Sequence, residues 1–258
     1  MNFNFDTHVH STFSVDAKDN LEDIVSSAIA KGLKHICFTE HIDHNPKDYG
    51  YQFYDFEKYS NEIERLKDKF SSEIQILKGI EFSEPHLYKS EFEKELNRDY
   101  DMIMASLHWL GDNFYGEKEL LSKYSPEKIL EKYFKDLTVI AELGNFDVLA
   151  HFDFPRRYYG QVSVDNHLIE DILKFLVRNN IVLEINTSGL RKGYNFTLPN
   201  FDIIDMYLNL GGKNVTLGSD AHSREEIGAD FGKINQFQHF DKLEFGIFKD
   251  RQFQKLYL

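Results

Sequence analysis

The sequence has little cysteine, little proline and no long apolar run, and each shortage excludes a class of protein. Its 258 residues include five prolines and a single cysteine, Cys37. One cysteine cannot form an intrachain disulfide, so a disulfide-stapled scaffold is excluded and a reducing compartment is expected. No stretch approaches the roughly 18 consecutive apolar residues of a membrane helix, and residues 1–6 lack the basic and apolar regions of a signal peptide. We therefore expect a cytoplasmic protein with no membrane partner.

Positive charge is also scarce. The chain carries 30 lysines and arginines against 43 aspartates and glutamates, a formal net charge of −13. A surface of this sign repels phosphate backbones, so nucleic acid is not expected as a partner. Hydrophobic residues make up 41% of the chain and aromatic residues 15%, which favours a packed core over disorder. The length suits one large domain or at most two small ones.

Short apolar segments alternate with longer amphipathic ones along the chain. Helix signals lie between the short segments, and the clearest is Ser125-Pro126, a capping serine followed by proline at the first helical position, with Gly144 as the stop. Repeated strand–helix units predict a parallel sheet with helices outside it, and about seven units favour a closed barrel. The predicted strands are Phe3–Thr7, His35–Thr39, Ile74–Ile80, Met102–Ser106, Val148–Ala150, Val182–Asn186 and Val215–Gly218.

Six of the eleven histidines stand at the carboxyl ends of the predicted strands, together with acidic residues. Functional residues of parallel barrels lie at these ends. A lone histidine near a strand end is usually an ordinary core or surface residue, but convergence at six strand ends predicts a metal site. Imidazole and carboxylate groups without cysteine suit Zn²⁺, Fe²⁺ or Mn²⁺. The candidates, too many for one ion, are His8, His10, His41, Glu81, His108, His151, Asp220 and His222.

The segments that carry these residues resemble the motifs of the PHP (polymerase and histidinol phosphatase) superfamily, in order and over essentially the whole chain. The resemblance implies an α/β fold, a distorted (β/α)7 TIM-like barrel, as a single PHP domain over residues 1–258. It also implies two to three divalent metal ions at the C-terminal face of the strands. The matching segments are Asp6–His10, Phe38–His41, Gly79–Glu81, Ser106–His108, Ala150–Asp153 and Gly218–His222.

The resemblance also implies how the ligands are shared. The first metal would be held by His8, His10, Glu81 and Asp220, and Glu81 would bridge to a second metal that also takes His108 and His151. The third would be held by Asp16, His41 and His222. Asp16 lies in the loop 14–17 and would not be selected from the pattern alone. Some members of the superfamily carry histidine in that place.

Two further segments are similar to the monofunctional histidinol-phosphate phosphatase branch of the superfamily. His151 is followed by Phe-Asp-Phe-Pro-Arg156-Arg157, and the sixth predicted strand continues as Glu-Ile-Asn-Thr-Ser-Gly-Leu-Arg191. The planar guanidinium of arginine can donate two parallel hydrogen bonds to a phosphate, so Arg156, Arg157 and Arg191 are candidate phosphate ligands. The sequence does not decide which of the adjacent pair faces the site.

The activity implied is hydrolysis of a small phosphate monoester, L-histidinol phosphate, to L-histidinol and phosphate in histidine biosynthesis. A hydroxide bridging two metals would attack the phosphorus in line with the leaving alkoxide. Asp16 and His222 are candidates for assisting the leaving group, and the bridging Glu81 is counted with them as catalytic. Acidic and aromatic residues in the loops 42–54 and 109–124 would suit a cationic substrate.

Other functions remain open at this point. A nuclease or nucleotide phosphoesterase could use the same barrel, although neither a basic groove nor an added nucleic-acid module is visible in a chain of charge −13. A non-catalytic metal-binding barrel is a second alternative, although a plausible ligand stands at every metal position. An amidohydrolase-like barrel has less support, because no lysine that could be carboxylated ends a strand. The oligomeric state is left open.

Overall fold

The computed structural model of the chain describes residues 3–257. Met1, Asn2 and Leu258 lie outside the described residues. The first two belong to residues 1–6, for which the absence of signal-peptide regions is predicted. The strands are β1 (Phe5–Val9), β2 (His35–Ile42), β3 (Gln75–Ser83), β4 (Met102–Ser106), β5 (Trp109–Leu110), β6 (Asn113–Phe114), β7 (Val148–Leu149), β8 (Val182–Asn186), β9 (Asn214–Gly218), β10 (Glu244–Lys249) and β11 (Gln252–Lys255). The α-helices are α1 (Leu21–Ala30), α2 (Phe56–Lys69), α3 (Lys89–Glu95), α4 (Lys118–Lys123), α5 (Pro126–Leu143), α6 (Arg156–Tyr159), α7 (Asn166–Asn179), α8 (Ser188–Arg191) and α9 (Phe201–Asn209).

Seven parallel strands form the main sheet, in the order β1-β2-β3-β4-β7-β8-β9. Each connection between successive strands of this set contains at least one helix. This is the arrangement that the alternating pattern predicts, and all seven predicted strands form, with shifts of a few residues at their ends. The fold is the expected α/β one, a distorted (β/α)7 TIM-like barrel.

The sheet closes at its carboxyl end, where the segment after β9 meets β1. The backbone amide of Asp220 donates to the His8 carbonyl at 2.9 Å, and the His10 amide donates to the Ala221 carbonyl at 2.9 Å. Val9 and Ala221 form a parallel bridge. Residues that follow the first and the last of the seven parallel strands are therefore brought side by side at the edge where the candidate ligands lie.

The amino end of the barrel is built differently. There β10 pairs in parallel with the start of β9, and β11 folds back antiparallel on β10. Phe245 of β10 packs against the rings of Phe3 and Phe5. An extra strand thus stands beside β9 at this end, in a hairpin that the sequence pattern does not predict.

The helix boundaries follow the predicted signals. The Asn20 side chain accepts a hydrogen bond from the Asp23 amide at 2.9 Å and begins α1. Ser125 caps α5 in the same way, with Pro126 at its first position and Gly144 at its end at φ 63°. The apolar faces of these helices are buried in the hydrophobic core that also contains residues of the strands. None of the helices within residues 3–257 combines the length and apolar character that a membrane crossing requires.

Candidate metal centre

A cavity of about 660 Å³ opens at the carboxyl ends of the parallel strands. Strands that end at one rim of a barrel direct their last side chains to a common point. This explains why residues far apart in the sequence meet here. All nine predicted metal ligands lie in or directly against this cavity. They come from β1, β2, β3 and the segments that follow β1, β4, β7 and β9: His8, His10, Asp16, His41, Glu81, His108, His151, Asp220 and His222.

One group of ligand atoms is formed by His8, His10 and Asp220, all buried. The two Nε2 atoms of the histidines lie 3.0 Å apart. Asp220 Oδ1 lies 3.8 Å from Nε2 of His8 and 3.6 Å from Nε2 of His10. Residues two apart in an extended segment point to the same side, so the sequence His8-Val9-His10 places both rings here.

A second group is formed by Glu81, His108 and His151, also buried. Glu81 Oε1 lies 2.7 Å from Nε2 of His151 and 3.4 Å from Nε2 of His108. The other oxygen, Oε2, lies 3.1 Å from Nε2 of His8 and 3.2 Å from Nδ1 of His41. Glu81 therefore directs Oε1 to the histidines of its own group and Oε2 to histidines outside it, which is the geometry a bridging carboxylate needs.

The third group differs in part from the expected set. Its three close members are His10, His41 and His222, so His10 stands where Asp16 is expected. Asp16 contacts the group from its outer edge, with Oδ2 3.1 Å from Nε2 of His222 and 3.7 Å from Nε2 of His41. The Asp16 side chain is 52% exposed because it is carried by a loop rather than by a strand.

The donor atoms of these groups fit divalent metal ions. The carboxyls of Glu81 and Asp220 are buried, which raises their pKa, but neighbouring histidine charges and, for Asp220, Arg157 outweigh this and hold each pKa well below its usual range. Both are therefore ionised oxygen donors. His41 Nδ1 is buried beside Glu81 and, within residues 3–257, has no hydrogen-bond partner. Imidazole nitrogens and carboxylate oxygens that converge on one space are typical of a metal site.

The predicted arginines occupy different surroundings. Arg157 lines the cavity and donates from Nη2 to Asp220 Oδ2 at 2.8 Å. Arg191 lines it too, with its guanidinium anchored on the carbonyls of Ser219 and Asp220 at 2.8 and 2.9 Å.

Arg156 is the exception. It is not among the residues of the described chain that line the cavity, and its guanidinium contacts Gln161 at 2.9 Å and Asp153 at 3.4 Å. The expectation that Arg156 binds phosphate is thus not supported, because consecutive residues of the short helix α6 point in different directions.

The loops that follow β2 and β4 meet over the mouth of the cavity. The Trp109 indole donates to Asp48 at 2.8 Å, and Lys47 pairs with Asp112 at 2.9 Å. Acidic and aromatic residues of these loops and of the segment after β7 line the mouth, as the sequence predicts for the two loops: Asp43, Asp48, Tyr49, Trp109, Phe114, Glu117, Phe154 and Tyr158. Lys192, beside Arg191, also lines it.

Sequence reasoning missed the buried acids behind the ligands. Glu40 accepts hydrogen bonds from the hydroxyls of Ser11 and Ser14, both at 2.6 Å, and the Ser14 hydroxyl lies 3.4 Å from His10 Nδ1. Glu184 contacts His8 Nδ1 at 2.6 Å. Each stands within a strand that is otherwise mostly apolar, and a charged residue inside a buried strand is the signal that could have found it.

Comparison with known proteins agrees with this architecture. The model of the PHP domain family matches residues 6–188. A probable histidinol-phosphatase from Thermotoga maritima is 33% identical over 89% of this chain and 88% of its own length. Another from Clostridium acetobutylicum is also 33% identical, over 88% of this chain and 89% of its own.

A solved structure has the same fold. The crystal structure of histidinol phosphate phosphatase from Lactococcus lactis subsp. lactis, in complex with zinc, L-histidinol and phosphate, aligns with a TM-score of 0.83 at 26% identity. The alignment covers 98% of this chain and 99% of that one. With a family model over more than half of its length and relatives that align over most of it, the chain belongs to the PHP domain family.

Proposed function

We propose that this chain is a metal-dependent phosphomonoesterase that hydrolyses L-histidinol phosphate to L-histidinol and phosphate. The observation that carries the proposal is the joint presence, in one cavity, of three groups of metal-ligand atoms and the guanidiniums of Arg157 and Arg191. Cations of both kinds around one space suit a phosphate dianion. The related L. lactis enzyme holds zinc, L-histidinol and phosphate together, which supports the same substrate here.

We propose that two to three divalent ions, with zinc favoured over iron and manganese, are held by the groups described above. His8, His10 and Asp220 would hold one, Glu81, His108 and His151 a second, and His41 and His222, with His10 or Asp16, a third. Bound there, the ions would supply positive charge to the phosphoryl oxygens and an activated water near neutral pH.

The chain's own residues would bind and orient the phosphate. Arg191 is fixed by two carbonyls and by Glu226, whose Oε1 lies 3.0 Å from its Nε, so little side-chain entropy is lost when it binds. Arg157 is buried, and its Nε has no hydrogen-bond partner within the described chain. Fixed donors of this kind stabilise charge on the equatorial oxygens during phosphoryl transfer.

The leaving alkoxide needs a proton. Asp16 Oδ2 and His222 Nε2 lie 3.1 Å apart at the outer edge of the metal groups, where the leaving group would face solvent. Burial raises the pKa of Asp16, but the charges of His41 and His222 outweigh this and hold it well below its usual range, so Asp16 is ionised. We propose that Asp16 orients His222, whose Nε2 delivers the proton when that atom is not bound to a metal ion. The acidic and aromatic mouth would receive the amine and imidazole, because Asp43, Asp48 and Glu117 carry the charge that a cation needs.

Steady-state kinetics over a panel of phosphate monoesters tests the proposal. Zinc-loaded protein is expected to prefer L-histidinol phosphate over other monoesters in kcat/KM. Hydrolysis of single-stranded DNA or dinucleotides with L-histidinol phosphate untouched would favour the nuclease alternative. Loaded protein that hydrolyses no phosphate ester above background would favour a non-catalytic barrel.

A leaving-group comparison tests the proton donor. Asp16→Asn is expected to lower kcat strongly for L-histidinol phosphate, whose alkoxide is a poor leaving group, and much less for p-nitrophenyl phosphate, whose phenolate leaves without a proton. Equal losses for both substrates would show that Asp16 acts in another way.

We also propose that residues 1–258 form a single barrel domain. The support is that the family match ends at residue 188, yet β9 and the segment after it complete the same cavity with Asp220 and His222. The expectation of a cytoplasmic location stays a prediction.

A further inference from the structure

Behind the metal ligands, on the closed side of the barrel, lies a second carboxylate, that of Glu184 in β8. It is fully buried. Its Oε1 lies 2.6 Å from Nδ1 of His8, and its Oε2 accepts the backbone N–H of His151 at 2.7 Å. His8 and His151 belong to different groups of metal-ligand atoms. Glu184 therefore touches both groups without facing the cavity.

Together with Glu81, this residue completes a closed ring of contacts. Glu81 reaches Nε2 of His8 at 3.1 Å and Nε2 of His151 at 2.7 Å from the cavity side. Glu184 reaches the opposite side of His8 and the backbone of His151. A carboxylate that accepts the Nδ1 proton of a histidine sets its tautomer, so the Nε2 lone pair of His8 is directed to the cavity.

The contact with His151 has a separate role. His151 has φ 25°, a left-handed conformation that residues other than glycine and asparagine rarely adopt. Such a conformation persists where surrounding contacts hold it. The hydrogen bond from its amide to Glu184 is one such contact, and it aims the His151 ring at Glu81.

Space for this carboxylate is provided by Gly218 on the neighbouring strand β9. A Cβ added at Gly218 would lie 2.2 Å from Glu184 Oε1 and 2.4 Å from the Cβ of His8. Both separations are well inside van der Waals contact, so any side chain at this position must displace the pair. The absence of a Cβ at position 218 is thus an independent sign that the chain is built around the contact between Glu184 and His8.

We infer that Glu184 is a positioning residue that holds ligands of two metal ions in register. This inference rests on the proposed function, because it assumes that both groups bind metal. Glu184 does not touch substrate, and its effect passes through His8 and His151. Loss of the carboxylate should weaken both metal sites together.

Zinc retention tests the inference without relying on activity. Wild type, Glu184→Gln and Gly218→Ala would be loaded with zinc and titrated with a chelating indicator, with thermal melts as the check on folding. Glutamine can accept one of the two hydrogen bonds but not both. Its zinc affinity is expected to fall roughly 10- to 100-fold, as for other partners of ligating histidines. Gly218→Ala should weaken zinc binding by disturbing the same pair while Glu184 stays in place.

Two matched controls separate positioning from general damage. Glu95→Gln removes another buried carboxylate, which binds Tyr100 and Arg98 away from the cavity. Gly232→Ala adds a Cβ where no atom lies within 4 Å. Both are expected to retain wild-type zinc affinity. A higher zinc concentration for half-maximal activity in Glu184→Gln would add a readout that simple loss of folded protein does not produce, because loss of folded protein lowers kcat equally at every zinc concentration.

The outcomes are distinguishable. Folded Glu184→Gln protein that holds zinc within about threefold of wild type would overturn the inference, whatever its activity. Folded Gly218→Ala protein with unchanged zinc affinity would overturn it as well. Wild type that binds zinc tightly but leaves L-histidinol phosphate intact would overturn only the proposed function. Wild type that binds no zinc would overturn both.

Discussion

The two ends of the barrel both bury acidic residues, but they neutralise them in different ways. At the amino end, Asp147 accepts the Ile103 amide at 2.7 Å and pairs with Arg251 from the turn between β10 and β11. Asp101 accepts the amides of Lys78 and Asp250 at 2.8 and 3.2 Å. Every one of these partners is a permanent part of the chain, so this end is complete without a ligand.

At the carboxyl end the partners are of another kind. Glu81 is fully buried, yet in the described part of the chain its ion-pair partners are all histidines. Among residues 3–257, Asp220 pairs with one permanent cation, Arg157. An imidazole that gives up its proton offers a lone pair to a metal ion, so this end suits cations from outside the chain. The amino end thus has a structural network that is complete within the chain, whereas the network at the carboxyl end is arranged for a function that involves added cations.

The largest expected effect follows from removing the carboxylate between two groups. Glu81→Gln should lower kcat/KM more than about 100-fold, beyond the usual cost of losing an indirect partner of a metal ligand. Zinc stoichiometry by mass spectrometry of metal content should fall with it. Full zinc content and near-normal activity in this variant would show that Glu81 does not bridge.

A smaller effect is expected from the phosphate ligands. Arg157→Met should lower kcat/KM about 10- to 100-fold, since hydrogen bonds to charged groups contribute about 1.5–3 kcal/mol. Arg156→Met should change kcat/KM by no more than about threefold, because its guanidinium does not line the cavity. The reverse order of the two variants would contradict the assignment of the adjacent pair.

The amino end should respond in stability alone. Arg251→Met leaves the Asp147 carboxylate without its cation and should lower the free energy of unfolding by about 2–3 kcal/mol, somewhat less than for a fully buried pair. The Arg251 side chain is 28% exposed, so the loss of the ion pair lowers the free energy of unfolding less than it would for a fully buried pair. Denaturant melts would measure this change, while kcat/KM of the folded fraction stays at the wild-type value. An altered kcat/KM in fully folded Arg251→Met protein would show that the amino and carboxyl ends of the barrel are not independent.

The smallest effect is expected at the rim. Lys192 lines the cavity beside Arg191, and within residues 3–257 its ammonium makes neither a hydrogen bond nor a close ion pair. An exposed cation of this kind contributes about 0.5–1 kcal/mol to an anion, so Lys192→Met should raise KM about two- to fivefold with kcat unchanged. The difference should shrink as salt is added. An unchanged KM of Lys192→Met at low salt would show that Lys192 does not contribute to substrate binding.

Patterns within a few residues were read correctly from the sequence. The caps at Asn20 and Ser125 form as predicted, because a cap depends on the next three residues. The seven parallel strands and the polar residues at their ends also follow from local alternation. The hairpin β10–β11 was not predicted, because its place in the sheet depends on pairing with β9, and local alternation does not show that pairing.

What the sequence determined by itself is the set of candidate ligand side chains and the end of the barrel that carries them. Which ligands share a group was decided by the tertiary structure, where His10 rather than Asp16 joins His41 and His222. The orientation of Arg157 into the cavity and of Arg156 away from it was decided there too, as was the contact of Glu184 with His8. The physical reason is the sequence separation over which each interaction acts. Strand alternation and helix caps act over a few residues, whereas the closure that sets Asp220 against His8 joins positions more than 200 residues apart.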